Sequence, residues 1–188
     1  MSRKKKCAAI ILSGGKSKRM GTDKAFLFYD KLNKLTFIER ITDIFKSFNC
    51  CQVVVVFNSD NIKYGRQILK NVDFAENKNP DEGRFSSIKI AVEKLFCSDY
   101  VFLHNADNPF VDTETLQKLW INRDENSYIS PIFNNEGGHP ILIPQKIITQ
   151  IQIETSKNLN LKHFLQPFNR KNVLVYSSNV IQNINTLK

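Results

Sequence analysis

The sequence predicts an α/β fold: a mostly parallel central sheet, helices on both of its faces, and a small hairpin insertion in the second half. Three observations carry that prediction. Apolar, β-rich runs are continuous rather than alternating, as strands covered on both faces require. Segments with helical spacing lie between those runs. Polar, glycine- or asparagine-containing segments follow the first and third runs directly, and right-handed crossovers gather such segments on one sheet edge.

Taken in order, residues 7–12 form the first strand and lead straight into Ser13-Gly14-Gly15. Residues 36–48 read as a helix, with Phe37, Ile41, Ile44, Phe45 and Phe48 on one side. Residues 52–57 are the second strand. Residues 86–96 are again helical, through Ile88, Val92 and Leu95, and residues 100–103 are the third strand. Asp112 ahead of Thr113-Glu114-Thr115 is a helix N-cap with an acidic first turn. Residues 127–132 and 140–143 read as strands around the Asn134-Asn135-Glu136-Gly137-Gly138 turn. Helices are expected over 144–152 and 161–168, and a late strand over 173–177.

Length and composition narrow the classes. At 188 residues there is room for one domain, 1–188, with a basic tail at 1–6. No apolar run approaches the ~20 residues that span a bilayer, and the run after Arg3-Lys4-Lys5-Lys6 is too short for a signal peptide. With 41% hydrophobic and 24% charged residues, disorder and a secreted disulfide scaffold are excluded. Cys7, Cys50, Cys51 and Cys97 lack C-x-x-C spacing and neighbouring histidines, which predicts reduced thiols in a cytoplasmic protein. The net charge of +9 favours anionic partners such as nucleotides, phosphorylated metabolites, RNA or a membrane surface. The phenylalanines fall on apolar periodic faces and do not interleave with Lys and Arg, so nucleic-acid binding is not expected.

Four segments carry chemistry. The stretch from Leu12 to Lys24 places two adjacent glycines and Lys16, Lys18, Arg19 and Lys24 after the first strand, where an α/β sheet binds ligands. Adjacent glycines let the backbone come close and aim N–H groups at anionic oxygens. Ile10 stands where a Walker A loop needs glycine, and G-x-G-x-x-G is absent. His104-Asn105-Ala106-Asp107-Asn108-Pro109-Phe110 ends the third strand; Asp107 suits a Mg2+ ion bridging nucleotide phosphates, and equally suits a turn before proline. Gly137-Gly138-His139-Pro140 reads alone as a hairpin turn, and Asn183-Ile184-Asn185-Thr186 signals nothing by itself.

Together the four segments resemble the MobA-like NTP transferases, the molybdenum-cofactor nucleotidyltransferases. Leu12 to Lys24 matches that family's L-x-G/A-G-x-S-x-R-M-G-x-x-K motif at every fixed position. Asp107-Asn108-Pro109-Phe110-Val111 is similar to its D-x-P-x-V/I element, His139-Pro140 to its H-P pair, and Asn183 to Thr186 to its N-x-N-T. The resemblance implies a single-domain Rossmann-like nucleotidyltransferase fold and Mg2+-dependent transfer of NMP from GTP or CTP to a phosphorylated acceptor, with release of pyrophosphate. Molybdopterin is the first acceptor implied, and a sugar or polyol phosphate is the alternative. The remaining reading is a basic nucleic-acid-binding module without catalysis. Arg19, Lys24 and Asp107 would be catalytic, with Asp107 the metal ligand. Leu12, Ser13, Gly14, Gly15, Lys24, Asn77, Ser86, Ser87 and Asp107 would bind nucleotide, and His139, Asn183 and Asn185 the acceptor. A monomer or weak homo-oligomer is expected. Gly14-Gly15 and Asn183-x-Asn185 resemble the guanylyl branch, whereas the 77–87 stretch, Asn77-Lys78-Asn79-Pro80-Asp81-Glu82-Gly83-Arg84-Phe85-Ser86-Ser87, resembles the cytidylyl branch.

Overall fold

The computed structural model describes residues 3–14, 23–96, 98–156 and 159–184. Its elements run β1 (Cys7–Ser13), β2 (Phe28–Asp30), β3 (Leu35–Thr36), α1 (Phe37–Ser47), β4 (Val53–Asn58), α2 (Ile62–Ile68), β5 (Asp73–Asn77) and α3 (Arg84–Val92). There follow β6 (Tyr100–Asn105), α4 (Thr113–Ile121), β7 (Ser127–Phe133), β8 (Glu136–Gly137), β9 (Ile141–Pro144), α5 (Gln145–Ile153), α6 (Leu161–Leu165) and β10 (Asn169–Leu174). Short 3-10 turns occupy Lys24–Phe26, Pro80–Glu82 and Ser178–Ile181.

The main sheet has the order β10-β7-β9-β6-β1-β4-β5, with β8 paired to β7. Strands β5, β4, β1 and β6 are parallel; β9 runs antiparallel to both β6 and β7, and β10 is parallel to β7. The C-termini of β1, β4, β5 and β6 and the start of β9 therefore share one edge.

Alternate residues of β1 explain its unbroken apolar run. Cys7, Ala9 and Ile11 pack on the side of α1 and α4, through Ile38, Ile41, Phe45, Leu116 and Leu119. Ala8, Ile10 and Leu12 pack on the side of α3, α5 and α6, through Ile88, Val92, Ile148, Ile151 and Phe164. Each face is covered, as expected. Helix α1 is started by a reciprocal cap: Glu39 N–H donates to the Thr36 hydroxyl, and the Glu39 carboxylate accepts from Thr36 N–H at 2.9 Å. The Asp112 side chain caps α4 by accepting from Thr115 N–H at 2.7 Å.

Some boundaries differ from expectation. Helix α3 starts at Arg84 and stops at Val92 rather than spanning 86–96, and α6 stops at Leu165 rather than 168. The late strand lies at Asn169–Leu174 instead of 173–177, because an edge strand with only Val173 buried has no apolar signature. The strands expected on either side of the 134–138 turn pair antiparallel, Ile129 with Leu142. Asn134 and Asn135, at φ 48° and 65°, turn β7 into the two-residue β8, while β9 is built into the main sheet between β6 and β7.

The basic tail lies at the opposite edge from the strand C-termini. Lys6 N–H donates to Asp99 at 2.8 Å, Arg3 pairs with Asp99 at 3.5 Å, and Lys5 pairs with Glu125 at 2.8 Å. Its charge is thus spent partly on internal partners. Cys7 and Cys50 face each other there as thiols, with sulfurs 3.8 Å apart. Among the described residues, no helix is long and apolar enough to cross a membrane.

Candidate active site

Strands β1 and β6 set the centre of the functional edge. Leu12 is in register with Asn105, and Ala106 N–H donates to the Leu12 carbonyl at 3.0 Å, so Gly14 and Asp107 leave neighbouring strand ends together. Leu12 and Ser13 are buried in β1. A Cβ added to Gly14 would lie 2.8 Å from Ser87 Oγ and 3.8 Å from Asn77 Cβ. Glycine fits here because the backbone at Gly14 lies against the Ser87 hydroxyl at the start of α3.

That start is organised by Asn77 at the tip of β5. Its amide donates to Ser86 Oγ at 3.0 Å and to Ser87 Oγ at 2.8 Å, and its carbonyl oxygen accepts from Asn79 N–H at 2.9 Å. With only 1% of its surface exposed, Asn77 holds the two serines in place, and its polar atoms already have protein partners. Gly83, at φ 86°, brings the chain into α3 without a side-chain cap.

The far end of the first loop returns to the same edge. Asp23 accepts from Ala25 N–H at 3.0 Å and from the Asn61 side chain. Asn61 is in turn held by Asn58 at the tip of β4, its N–H donating to Asn58 Oδ1 at 3.0 Å. Burial raises the Asp23 carboxyl above the ordinary carboxylate value, against bonds from Ala25 and Asn61 that favour its charged form. Lys24 follows immediately. Gly15, Arg19 and Asn185 lie outside the described residues, as do Lys16 and Lys18.

Asp107 is half-buried, and its Oδ1 is sealed from solvent without a hydrogen-bond partner among the described residues. An unpartnered carboxylate oxygen at a strand tip is the hard donor that a Mg2+ ion takes, and Asp107 is the residue that would hold one. Among the described residues no group of three or more His, Cys, Asp or Glu side chains could hold a metal alone. The C-terminal segment reaches the same point: Ile184 N–H donates to the Asp107 carbonyl at 2.8 Å, which sets Asn183 beside it.

His139 sits between these parts. Its backbone N–H donates to the Val180 carbonyl at 2.8 Å. Burial holds its imidazole down at about 4, helped by the Arg84 guanidinium and opposed by Asp107 and the Leu103 carbonyl. His104, with no exposed surface, donates from Nε2 to the Asn108 carbonyl at 2.7 Å and is pushed down to about 3, chiefly by burial. Its ring lies 6.5 Å from that of His139. Both imidazoles are neutral near pH 7, so neither can serve as a phosphate-binding cation there.

The structure thus brings Gly14, Asn77, Ser86, Ser87, Asp107, His139 and Asn183 to one edge, with Asp23-Lys24 anchored beside them at the β4 tip. Sequence reasoning missed Asp23, Arg84 and Asn108. All three lay inside the quoted segments as variable positions, and their partners are distant in the chain.

A mostly parallel sheet whose strand tips bring together Gly14, a serine-bearing helix start and Asp107 fits the class of Rossmann-like nucleotidyltransferases. Comparison with known proteins agrees. The model of the MobA-like NTP transferase domain matches residues 9–173. A probable molybdenum cofactor guanylyltransferase of Methanocaldococcus jannaschii is 29% identical over 206 residues, covering 96% of this chain and 95% of that protein. The 2-C-methyl-D-erythritol 4-phosphate cytidylyltransferase of Thermosipho africanus is 31% identical, over 58% of this chain and 50% of its own. A solved nucleotidyl transferase from Methanothermobacter thermautotroptrophicus shares the fold at a TM-score of 0.77 and 17% identity, over 96% of this chain and 92% of that one. The chain belongs to the MobA-like NTP transferase family.

Proposed function

We propose that this chain, as one 1–188 domain in the cytoplasm, transfers NMP from an NTP to molybdopterin or the molybdenum cofactor and releases pyrophosphate. The observation that carries the reading is the shared edge: Gly14, packed on the start of α3, and Asp107, whose Oδ1 has no partner among the described residues, follow the adjacent strands β1 and β6. Gly14 lets the loop backbone approach the nucleotide, and Asn77 orients the Ser86 and Ser87 hydroxyls toward it. Lys24 and Arg19 neutralise phosphate charge as it moves to the leaving group. Asp107 would hold a Mg2+ ion, which would supply Lewis-acid polarisation of the triphosphate. His139 and Asn183 meet the acceptor, whose phosphate attacks the α-phosphorus in line. Such a reaction depends on positioning and electrostatics more than on a protein nucleophile.

The full-length likeness to a probable guanylyltransferase supports molybdopterin and GTP, and the 77–87 stretch supports CTP. A second reading, transfer to a polyol phosphate, is favoured by the partial likeness to the methylerythritol phosphate enzyme. Pyrophosphate release measured for each of the four NTPs with Mg2+ against molybdopterin, molybdenum cofactor and methylerythritol phosphate tests both. Release with GTP or CTP that depends on molybdopterin is expected. Release only with the polyol phosphate would transfer the assignment to the second reading, and no release with any pair would overturn the first.

A further inference from the structure

We propose that Asn108 is a positioning residue: its buried side-chain amide latches the C-terminal segment 179–184 onto the Asp107 turn and so delivers Asn183 to the acceptor side of the site. The inference rests on the transferase reading above and goes beyond it, because no part of that reading gives Asn108 a role.

Asn108 has no exposed surface, and each of its polar groups is committed. The side-chain amide donates to the carbonyls of Asn179 at 3.0 Å and Val180 at 3.3 Å. Its Oδ1 accepts from Phe110 N–H at 3.2 Å, and its backbone carbonyl accepts from His104 Nε2 at 2.7 Å. One end of this arrangement is fixed in the β6 tip, and the other grips a segment 71 positions away. Two more bonds follow from the same docking: His139 N–H to the Val180 carbonyl and Ile184 N–H to the Asp107 carbonyl, both at 2.8 Å. A Cβ on Gly138 would stand 2.4 Å from the Val180 oxygen, so the segment lies flush against the backbone before His139. Without the amide, the Asn179 carbonyl keeps only Gln182 N–H and the Val180 carbonyl only His139 N–H, so the β6 tip holds the segment by the single bond from Ile184 N–H to the Asp107 carbonyl. Leucine at the buried position 108 has a similar branched shape but could not hold the segment, and alanine would remove the amide outright.

The test is amide hydrogen exchange together with steady-state kinetics on the full chain and its Asn108→Ala variant. The His139 and Ile184 amides should exchange about tenfold or more faster in the variant, as loss of a buried hydrogen-bonded anchor implies, while β1 and α1 amides keep their rates. KM for the acceptor should rise by a similar factor with NTP affinity, read by thermal shift, unchanged. A merely structural role would weaken both substrates alike, and that result overturns the proposal, as does unaltered exchange. If the variant does not fold, the unmodified chain decides: one docked segment carries both partners, so the His139 and Ile184 amides should share one opening equilibrium. Protection differing by more than about tenfold between them would overturn the latch. Failure of every NTP–acceptor pair would sink the proposed function, while the exchange measurement would still judge Asn108.

Discussion

Replacing His104 by Gln should remove about half of the acid sensitivity that two buried imidazoles build into this protein. His104 is held down at about 3 and His139 at about 4, both from an ordinary value of 6.5. Below pH 6.5 the unfolded chain therefore binds protons that the folded chain refuses, and stability falls as pH falls through that window. At pH 5 each imidazole that stays neutral costs about 2 kcal/mol relative to pH 7.5, so the pair costs about 4 kcal/mol. Asp23 acts in the opposite sense. Its carboxyl is raised, so its contribution is greatest below the ordinary carboxylate value and is lost as pH rises through the folded one. Gln at position 104 can still donate to the Asn108 carbonyl, which His104 meets at 2.7 Å, but it does not titrate. Urea unfolding at pH 7.5 and 5.0 should show a pH-dependent loss about 2 kcal/mol smaller in the variant than in the native chain. An unchanged loss would mean that His104 accepts its proton in the folded state, and the burial argument would be refuted.

Two further perturbations act on the edge itself. Gly14→Ala would set a methyl 2.8 Å from a Ser87 hydroxyl that Asn77 pins, so it should cost about 1–3 kcal/mol of stability in urea unfolding and weaken NTP binding in a thermal-shift assay; wild-type values on both counts would contradict the close approach. Lys24→Ala should lower the rate of pyrophosphate release by about 10²-fold, the scale of one lost electrostatic contact to a transition state, and near-native release would remove Lys24 from the machinery.

The centre of the fold was readable because both its faces are covered. β1, β4 and β6 are apolar at every position but their tips, and no other element type at that length writes such runs so plainly. The sheet edges were not readable. β5 (Asp73–Asn77) mixes charged with buried residues, β10 buries only Val173, and the β2–β3 ribbon exposes Phe28 and Tyr29. Helix α2 was missed as well: it has no capping side chain, and Gly65 in its middle survives because a Cβ would strike the Phe57 ring at 2.4 Å. The site was legible where it sits in local motifs, at Gly14, Asp107 and His139. Asn108, Arg84 and Asn61 act through partners distant in the chain, and only the assembled sheet edge brings those partners to them.

The central claim is that Asp107 and the glycine loop act on one NTP to move its α-phosphoryl group. Incubation with α-phosphorus-labelled GTP or CTP, Mg2+ and molybdopterin tests it most directly, with the native chain beside Asp107→Ala. The label should appear in a nucleotide–pterin product while unlabelled pyrophosphate is released, and the variant should form that product at least about 10²-fold more slowly. Label recovered as free NMP, or product formed equally fast without the Asp107 carboxylate, would contradict the account.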